Sequence, residues 1–147
     1  MPAIQASASP QAPRVLTDID HQRLFDLVER QGTAASGSDT HHTIDALMDV
    51  LDFADLVPSK AVPGHIVTMR SRVVLMGQAH GSTRRLTLSY PHDDVSGGLS
   101  VLTPLGTALL GTRVGQQVNW TGLDGATHHA VVAAIQYQPE AAGQLHL

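Results

Sequence analysis

The hydrophobic pattern of this 147-residue chain changes its period once, and the change divides the chain into two parts. Before Pro58 apolar residues recur with the 3.6-residue period of helices, and beyond Pro63 they alternate with the two-residue period of strands. The pattern predicts an α+β protein: a disordered tail over 1–14, a helical part over 15–57, and over 58–147 a twisted antiparallel sheet with one small helix.

Two amphipathic helices are predicted in the helical part. The first begins after Thr17, which can cap it, and ends at Gly32. Residues 32–41 have the composition of a loop, and helical spacing then resumes at i, i+3, i+4 and i+7 with Ile44, Leu47, Met48 and Leu51. We therefore expect a short antiparallel helical hairpin, with each helix about fourteen residues and roughly 20 Å long.

Alternation beyond the prolines predicts the strands of the sheet, which are 66–69, 72–76, 85–90, 117–121 and 128–138. The pair Asp124-Gly125 is a strong hairpin signal between the last two strands. In the long last strand, alternation places four apolar residues on one face: Val131, Ala133, Ile135 and Tyr137.

The stretch from Leu99 to Val118 packs a strand end, a helix and a return into strand within twenty residues. Thr103 is a favoured N-cap, and Pro104 follows at the first helical position, where its missing N–H costs nothing. Gly111 is placed to end the helix. Three leucines share one helical face that must pack on the sheet: Leu105, Leu109 and Leu110.

Residue content excludes several kinds of chemistry. With no cysteine there is no disulfide, thiolate zinc site or cysteine nucleophile. The adjacent pairs His41-His42 and His128-His129 do not suit one metal ion, and the serines form no nucleophile elbow. The first thirteen residues lack the pattern of a signal peptide and no segment is long and apolar enough to span a membrane, so a cytoplasmic protein is expected. We predict no catalytic, cofactor or metal site.

Two clusters of charge have more than one interpretation. Arg70, Arg72, Arg84 and Arg85 form either a patch that faces a partner or the solvated face of a strand. Asp93-Asp94 is either a pair of catalytic acids or a solvated turn. The net charge is −4 and no dense basic run occurs, which argues against direct binding of nucleic acid.

Four segments together carry a family resemblance, and they are 65–73 (HIVTMRSRV), 86–91 (LTLSYP), 100–115 (SVLTPLGTALLGTRVG) and 137–143 (YQPEAAG). They resemble the C-terminal domain of the bacterial Gre transcript-cleavage factors. The final segment points to the Rnk branch of that family, the regulators of nucleoside diphosphate kinase. The resemblance implies an FKBP-like fold over 58–147 and binding to RNA polymerase near its secondary channel, with no cofactor.

In Gre factors a short Asp-Ser-Pro-type turn before the small helix docks on the polymerase. Here the matching positions are Leu102, Thr103 and Pro104, of which the proline is identical and Leu102 departs from the acidic residue. The resemblance thus assigns partner binding to Thr103, Pro104 and Leu105.

Gre factors also project a long coiled coil whose acidic tip helps to hold a metal ion in the polymerase active site. Here the hairpin is short, and its loop over 32–41 has Asp39 as its one carboxylate, so we expect no stimulation of cleavage and instead competition with the longer factors. Two alternatives stay open. One is a peptidyl-prolyl isomerase, for which 3% aromatic residues are few, and the other is a general protein-interaction domain.

Overall fold

The computed structural model describes residues 14–34, 38–77, 83–93, 97–122 and 125–143. In chain order its elements are β1 (Val15–Thr17), α1 (Asp18–Ala34), α2 (Ser38–Phe53), β2 (Asp55–Val57), a 3₁₀ turn (Ser59–Ala61), β3 (Arg72–Gly77), β4 (Thr83–Ser89), β5 (Gly98–Ser100), α3 (Pro104–Leu109), β6 (Gln117–Thr121) and β7 (Thr127–Tyr137). The predicted α+β class is confirmed, with helices before a sheet. The disordered tail predicted over 1–14 lies, except for Arg14, outside the described residues.

The first two helices are longer than predicted. Thr17 caps α1, since its Oγ1 accepts a hydrogen bond from the Asp20 N–H at 3.0 Å. However, α1 passes through Gly32 to residue 34 and α2 starts at residue 38, so most of the predicted loop over 32–41 is helical. A glycine inside a helix costs only about 1 kcal/mol, which the burial of an amphipathic face outweighs.

One hydrophobic core joins the two helices to the sheet. Buried side chains from α1 and α2 lie in the same cluster as those from β3, β4 and α3; examples are Leu24, Leu47, Val73, Leu88 and Leu109. The two helices thus pack on each other and on the rest of the protein. No helix in the described part of the chain has the length and apolar character needed to cross a membrane.

The main sheet has five strands in the order β5-β4-β3-β7-β6. Its pairs are antiparallel except that β5 runs parallel to β4, with Leu88 opposite Leu99. The prediction of an entirely antiparallel sheet is therefore wrong at β5. A second sheet pairs β1 with β2 in parallel, with Val15 opposite Asp55, and so brings together the two ends of the helical part.

The predicted strand over 66–69 does not form. Ile66 makes one isolated bridge to Arg113, and the next backbone groups bond to other elements. The Val67 N–H donates to Thr112 O at 2.8 Å, and the Met69 N–H donates to the Asp20 carboxylate at 3.1 Å. Asp20 lies in α1 and Thr112 follows α3 in the chain. These residues therefore link elements instead of extending the sheet.

Strand β7 forms as predicted, but a different set of its residues is buried. Its register against β3 shifts twice, between Arg72 and Val73 and between Val74 and Leu75. Each irregularity changes which residues face inward. The buried residues of β7 are Ala130 and Val132, with Ile135 packed against the core, so a single face of odd-numbered residues from 131 to 137 is wrong.

Candidate functional site

The segment from Ser100 to Pro104, which we call the corner, joins β5 to α3 through short-range hydrogen bonds. The Thr103 hydroxyl donates to Ser100 O at 2.7 Å and accepts from the Gly106 N–H at 3.1 Å. Ser100 Oγ accepts from the Leu102 N–H at 3.0 Å. The predicted N-cap and the proline at the first helical turn are therefore confirmed.

Gly106 lets the corner and α3 lie in direct contact. A Cβ at this position would lie 2.1 Å from Ser100 O and 2.9 Å from Val101 Cα, both of them backbone atoms. The Thr107 hydroxyl adds a bond to Val101 O at 2.7 Å. The backbone of the corner is thus fixed by its packing against α3 and does not depend on a partner.

The other end of α3 is held from the start of the chain. Arg14 Nη1 donates to Thr107 O at 2.6 Å and to Leu110 O at 3.0 Å. A cation at a helix C-terminus is favourable, because the last carbonyl groups lack helical partners. Gly111 follows with φ of 77° and accepts from the Val15 N–H at 3.1 Å, which confirms it as the helix-ending glycine.

Beside the corner lies a groove of about 790 Å³ between α2, α3 and β6. Its apolar part includes Leu102, Ala108 and Trp120, each partly buried against the core. Trp120 stacks on His128, with ring centroids 5.5 Å apart. Arg14, His42 and Thr43 also line the groove. Such a surface, which combines apolar and polar side chains, has the character of a protein-binding site.

The structure separates the three residues predicted for partner binding. Thr103 and Pro104 are partly exposed and line the groove. Leu105 is 5% exposed and belongs to the core. Contact with a partner at this place would therefore involve Thr103 and Pro104 with the neighbouring Leu102, while Leu105 anchors the helix.

The four arginines considered as a patch do not stay together. Arg72, Arg84 and Arg85 are exposed on β3 and β4, but Arg70 lies outside the sheet and bonds to Asp93. Its Nε and Nη2 donate to the two carboxylate oxygens at 3.1 and 2.9 Å.

Asp93 is engaged in structural bonds. Besides the Arg70 guanidinium it binds the Tyr90 N–H, at 3.0 Å, and the hydrogen bonds from Arg70 lower the pKa of its carboxyl group. A carboxylate paired in this way is not poised as a general acid. Asp94 lies outside the described residues.

The two histidines of the adjacent pair on β7 have different partners. His128 is stacked on Trp120, whereas His129 Nδ1 lies 2.6 Å from Asn119 Oδ1. Among the residues that the structure describes, no three metal-ligating side chains come together.

A buried carboxylate, Asp20, was not singled out as a site by the sequence. It is 5% exposed, accepts from the Met69 N–H, and lies 3.5 Å from the Tyr90 hydroxyl. Burial raises its pKa to about 6, and the negative charge of Glu140 adds to the shift, while the bond from Met69 opposes it. Its spacing was a usable signal, because Asp20 continues the buried stripe of Leu24 and Leu27.

The segment Tyr137–Gly143, one of those that carry the resemblance, fastens the end of the sheet to the segment over 63–68, which precedes β3. Gln138 Nε2 donates to Pro63 O at 2.9 Å and to Ile66 O at 2.8 Å. Glu140 accepts from the Thr68 hydroxyl at 2.7 Å. The motif therefore has a structural explanation, because its residues hold the end of the sheet to the segment before β3.

Comparison with known proteins identifies the family. Residues 62–137 match the family model "Transcription elongation factor, GreA/GreB, C-term". The regulator of nucleoside diphosphate kinase of Escherichia coli K12 is 37% identical over 131 residues, which cover 88% of this chain and 93% of that protein. The protein of the same name from Shigella flexneri matches equally.

Among solved structures, the transcription elongation factor GreA/GreB of Nitrosomonas europaea superposes with a TM-score of 0.69 and 28% identity, over 84% of this chain and 99% of that one. These relatives are named as regulators or elongation factors and not as enzymes. The chain therefore belongs to the GreA/GreB family, in the branch of the regulators of nucleoside diphosphate kinase.

Proposed function

We propose that this protein is a non-catalytic regulator of transcription that binds RNA polymerase near its secondary channel and competes there with longer Gre-type factors. Membership of the family supports a regulator resembling a transcription elongation factor. The observation that carries the proposal is the corner: a fixed backbone with Thr103 and Pro104 partly exposed beside a groove of about 790 Å³. Because its relatives are named regulators of nucleoside diphosphate kinase, we propose that the protein also takes part in that regulation.

The corner is suited to docking because its shape is set in advance. Side-chain hydrogen bonds within 100–107 hold it, the Val101 N–H donates to Ser89 O at 2.8 Å, and its backbone packs closely against Gly106. A preorganised surface loses little conformational entropy on binding. Trp120 lines the same groove as Pro104, and aromatic side chains are groups on which binding energy concentrates.

The absence of cleavage activity is proposed from the length of the helices. Helices α1 and α2 have 17 and 16 residues, which correspond to about 25 Å each. Asp39 is within the first turn of α2, and the described part of the chain gathers no metal-binding group of acids. We infer that the protein occupies the docking position through the corner, while its short helices supply no metal ligand to the polymerase active site.

The test is binding of the full chain to purified core RNA polymerase, measured with wild type and Pro104→Ala. We expect the wild type to bind and the variant to bind about tenfold more weakly, equivalent to roughly 1.4 kcal/mol. The matched control is Pro63→Ala, since Pro63 is exposed and does not line the groove. Failure of the folded wild type to bind would overturn the proposal, and equal binding by Pro104→Ala would overturn the docking position.

A competition experiment addresses mechanism. Added protein should reduce transcript cleavage stimulated by a Gre-type factor, in proportion to its occupancy of the polymerase, and should stimulate no cleavage alone. Cleavage by the purified protein would contradict the proposal.

The peptidyl-prolyl isomerase alternative gains no support from the relatives. A folded protein that does not bind RNA polymerase would favour a general interaction domain.

A further inference from the structure

A second cavity, away from the corner, gathers three arginine side chains. It has a volume of about 320 Å³ and is lined by α1, by Arg70, and by the segment that follows β4. Three of its lining residues are arginines, namely Arg23, Arg30 and Arg70, in a chain whose net charge is −4. Its size is at the lower end of the range for small-molecule sites. Nothing in the proposed docking function uses it.

Arg70 is held in position at a cost in backbone energy. Its φ is 68°, and it is the one residue other than glycine with positive φ in the described ranges. That conformation is strained for a residue with a Cβ. The Arg70 N–H donates to Leu88 O at 2.6 Å, and the bidentate pair with Asp93 fixes the guanidinium. The pair uses two of five N–H donors, which leaves three for a ligand.

Arg23 and Arg30 approach the cavity from α1. They are seven residues apart, or roughly 10 Å along the helix axis, and so lie on one face two turns apart. Leu27 lies between them and also lines the cavity. Both arginines have other contacts within the chain, so they would share their donors with a ligand.

Aromatic rings form one wall of the cavity. Tyr90 is 4% exposed, and the Arg70 guanidinium lies 5.0 Å from its ring centre. His92 stacks on Tyr90 at 5.6 Å between centroids, while its own side chain is 68% exposed. The outer face of the histidine is therefore accessible to a planar group of a ligand.

Three acidic residues balance the formal charge of the three arginines. Asp26 lines the cavity and accepts from Gln22 Nε2 at 3.1 Å, Asp93 pairs with Arg70, and Asp20 lies buried behind Tyr90. Three arginines against three carboxylates give no excess of formal charge. Recognition here thus depends on the direction of the guanidinium N–H groups, which match a tetrahedral phosphate by paired hydrogen bonds.

We propose that this cavity binds the phosphate group of a small organic phosphate, with Arg23, Arg30 and Arg70 as its donors and His92 beside the organic part. The cavity is too small for a folded partner and is bounded on one side by a buried tyrosine. This site is independent of docking at the corner, and either proposal can fail without the other.

The test titrates the full-length protein with inorganic phosphate and with phenyl phosphate. Binding is measured by calorimetry and by the shifts of amide NMR signals. We expect both probes to bind with a Kd of about 1 mM or tighter, and to shift the amide signals of Tyr90 and His92. Phenyl phosphate should bind at least as tightly, because its ring can stack on His92. No heat and no shifts with either probe would overturn the proposal, as would binding of inorganic phosphate alone.

Variants locate the site. Arg30→Gln should weaken binding about tenfold, and Arg23→Gln should do the same. Both must keep the thermal midpoint of the wild type within a few degrees. The matched control is Arg85→Gln, which removes an equal charge from an exposed position on β4 and should leave the Kd unchanged. An equal loss of affinity in the control would mean unspecific attraction and would overturn the assignment.

Discussion

The corner and the cluster around Asp20 both fix the relative position of two elements, but by different means. At the corner, neutral side-chain hydroxyl groups bond to partners at most six residues away in the chain. Around Asp20 the carboxylate meets Met69 and Tyr90, which are 49 and 70 residues distant. Short-range neutral bonds are insensitive to pH, whereas a buried charge makes the junction of α1 with the sheet depend on it.

The largest effect is expected at the corner, from Gly106→Ala. Its Cβ would lie 2.1 Å from Ser100 O, so the corner must move away from α3. We expect a loss of about 3 kcal/mol in the free energy of unfolding, and roughly 10 °C in the thermal midpoint. Gly64→Ala is the matched control, because its Cβ would meet nothing within 4 Å. Equal stability of the two variants would show that the corner is not tightly packed.

At the cluster, the expected effect is almost as large but depends on pH. Asp20 has a folded pKa of about 6 against 3.8 for the free group, so the folded protein holds the proton more tightly. Ionisation of the carboxyl group therefore lowers the free energy of unfolding. This loss is absent below about pH 4 and complete above about pH 6. It is about 3 kcal/mol, two pKa units at about 1.4 kcal/mol each.

Asp20→Asn should isolate this dependence, since the amide oxygen can still accept from the Met69 N–H. In urea unfolding between pH 4 and 7.5, wild type should lose stability relative to the variant as the pH rises to 6 and then stay level. Asp45→Asn, on the exposed face of α2, serves as reference. A difference between wild type and Asp20→Asn that does not change with pH would contradict the assigned role of burial.

The smallest effect is expected from Thr103→Ala, which removes the cap of α3 and a bond to Ser100 O. We expect a loss of about 1 kcal/mol. Thr103→Ser keeps the hydroxyl and should stay within a few tenths. Because a hydroxyl does not ionise, the loss measured by urea unfolding should be the same at pH 5 and pH 8. A loss that changed over this range would remove the contrast with Asp20.

The same contrast decides what the sequence could predict. Thr103, Pro104 and Gly111 act within one turn of α3, so their residue types and spacing were sufficient. The strand at 66–69 was wrong because its partners, Asp20 and Thr112, are remote in the chain. No local pattern states that a β-like run will bond to a helix instead of a strand.

The errors in the sheet have a similar origin. The alternation of residues in β7 is clear in the sequence, but the bulges opposite β3 depend on how the two strands pair. Because of these bulges, the buried residues are Ala130 and Val132 and not the predicted odd-numbered residues. The parallel pairing of β5 depends on the path of the chain after Tyr90. For the cavity beside α1, the sequence grouped Arg70 with strand arginines, since nothing local marks a residue with positive φ unless it is glycine.

The parallel pairing of β1 with β2 has a consequence for how the molecule can change over evolution. Strand β1 leads directly into α1 and α2 leads almost directly into β2, so the helical unit leaves and re-enters the body at adjoining points. Residues added by whole turns at the link between the helices would alter the reach of the unit and leave its attachment intact. Reach and attachment are therefore separately adjustable traits, and the length of the helical unit can vary without rebuilding the body that carries it.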